Sequence, residues 1–210
     1  KGKAATASGL IKEWMAANLA QALGLPIPNF HIAYIENLLV ESAGELAHSL
    51  GAGDVFVSEE IKMTTEFKYP LLKSVENKLQ QDILLFDLWI ENSDRTLTSH
   101  GGNPNLLWQS SKNKLYIIDH NLAFDANFDR QLFKETHTFQ AQLSHFQLDL
   151  IEQQAFEIKL KNSLINWQQW WNKIPDSWKQ ENEGVMQFNP DTTLQRLQQE
   201  ANGKLWTKCL

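Results

Sequence analysis

The chain has 210 residues, enough to bury a substantial core as one domain or as a small lobe joined to a larger one. With 42% hydrophobic residues, a mean hydropathy of −0.39 and no apolar run of transmembrane length, a soluble globular protein without a membrane span is expected. The formal charge of −6 argues against general nucleic-acid binding, which needs clustered lysine and arginine; the absence of an apolar signal core and the single cysteine, Cys209, make the cytoplasm the expected location.

Ile11, Met15, Leu19, Ala22 and Leu23 share one face of a helix predicted from Ser8 to about Leu23, with Ser8 as N-cap and Gly24 as its stop. Leu25-Pro-Ile-Pro28 forces an extended connector, and His31–Ile35 reads as a strand. Asn37–Leu50 suits a short helix broken by Gly51-Ala-Gly53, and Asp54–Ser58 is a second strand. The polar stretch Glu59–Pro70 reads as an exposed connection. Val75–Glu91 is the strongest helix, apolar around nearly the whole circumference of its second half, so it belongs in a core. Leu106–Trp108 and Leu115–Ile118 flank a polar turn and predict a β-hairpin. The chain then looks irregular to about Leu132 and helical beyond, notably Gln140–Gln154, Ala155–Asn172 and Asp191–Ala201, with breaks at Ile174-Pro175 and Asn189-Pro190. Trp167, Trp170, Trp171 and Trp178, four of eight tryptophans, are expected to pack a helical subdomain, with a ligand or partner platform as the alternative.

The most telling stretch is Asn92-Ser-Asp-Arg-Thr96, a glycine-bearing loop, Asn103-Pro-Asn-Leu-Leu-Trp108 and Lys114-Leu-Tyr-Ile-Ile-Asp119. Its order, an Asp, an Asn and a second Asp around two short strands, suits metal-assisted phosphoryl transfer from ATP. Asp94 can orient or deprotonate an attacking hydroxyl, while an asparagine and Asp119 can share Mg²⁺ ions that bridge the phosphates. Asn103 and Asn105 compete for the metal role. Arg95 either pairs with a carboxylate to hold the loop or contacts a phosphate. Taken singly, Asp94 would better suit an Asx turn or cap closing a helix end. Lys1 or Lys3 with Glu13 can form the lysine–glutamate pair that holds the α- and β-phosphates. A metal site of His100, Asp119 and His120 lacks the His-before-Asp order and the further ligands of metal hydrolases.

Lys1-Gly-Lys3 before the Glu13-Trp-Met-Ala-Ala17 helix, Leu23-Gly-Leu-Pro-Ile-Pro28, NSDRT, NPNLLW and Ile117-Ile-Asp-His-Asn-Leu-Ala-Phe124 together resemble the HipA-like kinases, specifically their short branch. The resemblance covers roughly residues 1–125. It implies an α+β, protein-kinase-like two-lobed fold, distantly similar to phosphoinositide kinases. A small, incomplete N-lobe would occupy residues 1–65, with a hinge near 57–62, and a mostly helical C-lobe residues 66–210. It further implies ATP and Mg²⁺ as cofactors and a protein serine or threonine as substrate. Asp94 and Arg95 would be catalytic, and Asn103 or Asn105 with Asp119 would bind metal. Lys1 and Glu13 would hold phosphates, with Glu59, Glu60 and Ile61 along the adenine. In that family the phosphate-covering strands precede the lysine, whereas this sequence starts at it, so the expectation is a missing true start, a separate N-terminal subunit that supplies them, or impaired nucleotide binding. An antitoxin is a further implied partner, and a pseudokinase acting as an interaction module is the alternative function.

Overall fold

Helix α1 (Ala7–Ala22) buries every residue from Ala7 to Ala20 except Lys12, so it runs inside the protein rather than along its surface. The computed structural model describes residues 5–42, 51–145, 150–185 and 188–209. The N-cap of α1 is Thr6, not Ser8: the Thr6 hydroxyl accepts from the Gly9 N–H at 3.1 Å, while the Ser8 hydroxyl is buried without a partner. The predicted stop holds. Gly24 adopts φ +75°, and the Leu25 and Gly24 amides bond back to the carbonyls of Ala20 and Gln21 in a Schellman motif.

After the proline connector, β1 (Phe30–Ile35) pairs antiparallel with β2 (Gly53–Ser58), flanking α2 (Asn37–Ser42). The rest of the predicted helix Asn37–Leu50 lies outside the described residues. A two-residue strand absent from the sequence reading, β3 (Thr65–Glu66), pairs with β4 (Leu106–Gln109), which pairs with β5 (Lys114–Ile117). The hairpin is as predicted, with Asn113 at φ +50° in its turn. The connector docks on it directly, because the Ile117 N–H donates to the Pro26 carbonyl at 2.8 Å.

Helix α3 (Asn77–Trp89) is the buried helix expected from the apolar run, two residues shorter at each end. It also closes in a Schellman motif, but with Glu91 rather than glycine at φ +52°. The Asn92 and Glu91 amides reach back to the Asp87 and Leu88 carbonyls, and an Arg196 ion pair at 3.2 Å holds the Glu91 side chain. Helix α4 (Arg130–Thr136), capped by Asp129, begins in the stretch read as irregular and runs into the part read as helical.

The C-terminal helices are α5 (Leu150–Ser163), α6 (Trp167–Asn172), α7 (Asp176–Val185), α8 (Pro190–Gln199) and the terminal turn α9 (Trp206–Cys209). The expected break between Gln154 and Ala155 does not exist. The interruption comes after Ser163 instead, whose hydroxyl bonds back to the Leu160 carbonyl at 2.7 Å and competes with the helical ladder. The break expected at Asn189-Pro190 is a helix start: Asn189 caps α8 and Pro190 opens it.

The tryptophans pack. Trp167, Trp170 and Trp178 are buried, and the indole N–H of Trp14 in α1 donates to the Trp170 carbonyl at 3.0 Å. One continuous apolar core runs from α1 and Phe56 of β2 through α3 and the hairpin to Leu205. Because α1 lies against α5, α6 and α7, the N-terminal helix shares its core with the C-terminal ones. The protein is α+β, with small sheets and a predominance of helix. Among the described residues no helix is long and apolar enough to cross a membrane.

Candidate active site

The Schellman turn at the end of α3 aims the chain into the loop that begins at Asn92, and the loop is then held from beneath. Asp87, in the middle of apolar α3, is completely buried. One carboxylate oxygen accepts from Asn92 Nδ2 at 2.7 Å; the other accepts from Arg95 Nε at 2.7 Å and meets His137 Nε2 at 3.1 Å. Burial alone would raise this carboxyl, but the Arg95 guanidinium and the His137 hydrogen bond outweigh it and hold it well below the usual carboxylate range. His137 is shifted downward, chiefly by burial, against the pull of Asp87. Its Nδ1 accepts the Phe139 N–H at 3.1 Å, so the proton belongs on Nε2, facing Asp87.

Arg95 is turned into the protein. Its side chain has no solvent exposure, and after the ion pair to Asp87 the remaining nitrogens point inward. Nη1 donates to the carbonyls of Pro104 at 3.3 Å, Asn105 at 2.5 Å and Ile118 at 3.4 Å. These bonds tie the loop that begins at Asn92 to the strands on either side of the hairpin.

Asp94 stands at the partly exposed end of this platform. Its Oδ2 accepts from Asn105 Nδ2 at 2.8 Å and Asn103 Nδ2 at 3.1 Å, so both competing asparagines converge on it. They differ in setting: Asn103 is exposed, whereas Asn105 is buried, with φ +49° immediately before β4. Gly102 closes the loop just before Asn103 at φ +155°, where a Cβ would lie 2.5 Å from the Thr96 carbonyl oxygen. Ile118 follows β5 opposite Asn105, and its N–H donates to the Asn105 carbonyl at 3.0 Å; Asp119, with φ +57°, comes next.

Asp119 and Ile118 form one wall of a cleft of about 580 Å³, a size that suits a small-molecule ligand. Glu13 of α1, Pro28, the segment from Phe56 to Thr64 and Leu107 of β4 form the rest. Glu59, Glu60 and Ile61, expected along an adenine, therefore share a cleft with Glu13 and Asp119. Glu59 is anchored by Asn29 Nδ2 at 2.7 Å, and Gln109 of β4 holds the Lys62 carbonyl at 2.9 Å. Glu13 Oε2 accepts the backbone N–H of His120 at 3.0 Å, directly after Asp119. Lys1 and Lys3 lie outside the described residues, so their pairing with Glu13 does too. Asp94, Asn103 and Asn105 are not part of the cleft lining.

The oxygens of Asp119 and an asparagine amide are the hard donors that Mg²⁺ takes when phosphates and water complete its shell. No group of three or more His, Cys, Asp or Glu residues suited to a metal exists among the described residues. His120, once considered with His100 and Asp119, is instead fully buried against Arg95. The sequence reading missed Asp87 and His137; a lone carboxylate inside Leu85-Phe86-Asp87-Leu88-Trp89 was a signal for the first, and nothing local marks the second.

No curated protein matches the sequence. The HipA-like kinase family matches residues 1–209, nearly the whole length, so with its Asp-Asn-Asp loop and adjoining cleft this chain belongs to the HipA-like kinase family.

Proposed function

We propose that the chain transfers the γ-phosphoryl group of ATP, with Mg²⁺, to a serine or threonine hydroxyl of a protein. The observation that carries this reading is the backbone bond between Asn105 and Ile118, which joins the Asp94 loop to the Asp119 wall of the cleft at 3.0 Å. ATP would lie in the cleft with its base along Glu59–Ile61. Asn105 is favoured over Asn103 as the metal-binding asparagine because its backbone is fixed by Arg95 and Ile118. Asp119 and the Asn105 amide oxygen would hold Mg²⁺, whose charge would offset that gathering on the phosphate oxygens.

Asp94, oriented by two amide groups, would accept the proton of the substrate hydroxyl. The freed oxygen forms a bond to the γ-phosphorus as the bond from that phosphorus to ADP breaks. Positioning by a pre-formed loop is the chain's main contribution, as phosphoryl transfer has little covalent chemistry for a protein to perform.

The test combines thermal melting with ATP and Mg²⁺ and phosphate transfer to a generic protein acceptor. Ligand at about 100 times Kd should stabilise the protein by about 2.7 kcal/mol. Asp119→Asn should lose that stabilisation, whereas Asp94→Asn should keep it and lose transfer. No shift in the parent protein overturns the reading; a shift without transfer to any acceptor favours a pseudokinase.

A further inference from the structure

Glu13, His120 and Arg95 come from α1, the segment after β5 and the Asp94 loop, and they form one buried chain of contacts. Besides accepting the His120 N–H, Glu13 places Oε1 3.6 Å from His120 Nδ1. On the far side of the ring, Arg95 Nη2 lies 3.1 Å from His120 Nε2. A guanidinium has only donors, so Nε2 must be the acceptor and the ring proton sits on Nδ1, toward Glu13. Phe86 packs edge-on against the imidazole at 5.9 Å, fixing its plane.

This arrangement bears on two backbone positions that resist their own conformation. Asn105 and Asp119 both have positive φ, +49° and +57°, a region that asparagine and aspartate enter more readily than other non-glycine residues but still at a cost that fixed surroundings offset. Arg95 Nη1 supplies part of that constraint by donating to the carbonyls of Asn105 and Ile118. Asp87 holds the guanidinium at Nε. Among the described residues, the side chain that Nη2 meets is His120.

We propose that His120 is a positioning residue: by holding Arg95 Nη2 it sets the guanidinium that fixes Asn105 and Asp119 as one unit, and it links that unit to Glu13 in the cleft. The proposal rests on the phosphoryl-transfer reading for the roles of Asn105 and Asp119, but the clamp can be tested apart from it.

Two variants separate positioning from packing. His120→Leu keeps much of the volume and removes the acceptor; His120→Gln offers an amide oxygen near the place of Nε2. The Mg²⁺ dependence of ATP binding, measured by calorimetry, should shift about tenfold in His120→Leu, as for loss of an outer-shell partner of a metal ligand, and within about threefold of the parent in His120→Gln. Native-state hydrogen exchange at the Ile118 amide, whose acceptor is the Asn105 carbonyl, should accelerate by about tenfold in His120→Leu and be restored in His120→Gln. The proposal is overturned if His120→Leu lowers only the melting temperature, with Mg²⁺ dependence and Ile118 exchange as in the parent, or if His120→Gln behaves like leucine. If the parent protein binds no ATP with Mg²⁺, the kinase reading fails, and exchange at Ile118 alone upholds or overturns the clamp.

Discussion

Replacing Arg95 with leucine removes the cation that makes a fully buried Asp87 carboxylate tolerable. Breaking a buried ion pair from one side costs about 3–5 kcal/mol, because the remaining charge has no compensation. The carbonyls of Pro104, Asn105 and Ile118 lose their shared donor as well, so the lower figure is a floor. Against a total stability of about 5–15 kcal/mol, Arg95→Leu should remain measurable by urea unfolding while melting roughly 6–20 °C lower. Asp87→Asn combined with Arg95→Leu removes the stranded charge and should be more stable than the sum of the single losses predicts by about 1–3 kcal/mol.

The sign with pH follows from the burial of Asp87. In the parent its carboxyl is held below the unfolded value of about 3.9, so its contribution is present above that pH and is lost as pH falls through the folded value. Without Arg95, burial dominates and the carboxyl moves up, so the deficit of Arg95→Leu should be largest at neutral pH and shrink toward pH 4. Additivity of the two substitutions within about 0.5 kcal/mol, or a deficit that does not narrow on acidification, refutes the account.

His137 is held neutral, with its folded value depressed mainly by burial, so the unfolded chain binds the extra proton first. Stability should therefore decline as pH drops below about 6.5, and His137→Gln should lack that component in a melting-temperature series from pH 7 to 5. Thr6→Ala should cost about 1 kcal/mol in urea unfolding as the loss of an N-cap, whereas Ser8→Ala should fall within about 0.5 kcal/mol of the parent, since the Ser8 hydroxyl has no partner to lose. Gly102→Ala places a methyl group against the Thr96 carbonyl, displacing the loop that presents Asp94; turnover should fall on the order of 100-fold, with a far smaller effect on ATP binding.

How much of the site could be read in advance depended on how local its signals were. Asp94, Asn105 and Asp119 sit beside the end of a buried helix and the two strands of a hairpin, and each element has a short-range pattern: an apolar circumference, alternating apolar runs and a polar turn. Gly24 was legible as a helix stop because φ +75° is a glycine conformation. Glu91 was not legible as one, because its left-handed turn depends on Arg196, more than a hundred positions later. The choice between Ser8 and Thr6 as cap fell within the uncertainty of any helix boundary. Strand β3 exists only because β4 supplies its partner.

The sequence by itself determined the helix-then-hairpin order, the proline connectors, the buried α3 and the Asp-Asn-Asp series that resembles a kinase loop, since all of these arise from spacing along a few turns of chain. Tertiary structure decided what Arg95 does. An arginine next to Asp94 can face solvent or protein, and the difference lies in Asp87, itself held by His137, and His120 meeting it from other segments. A charge in a low-dielectric interior is tolerated only where such partners meet it, and that meeting is a property of the packed fold.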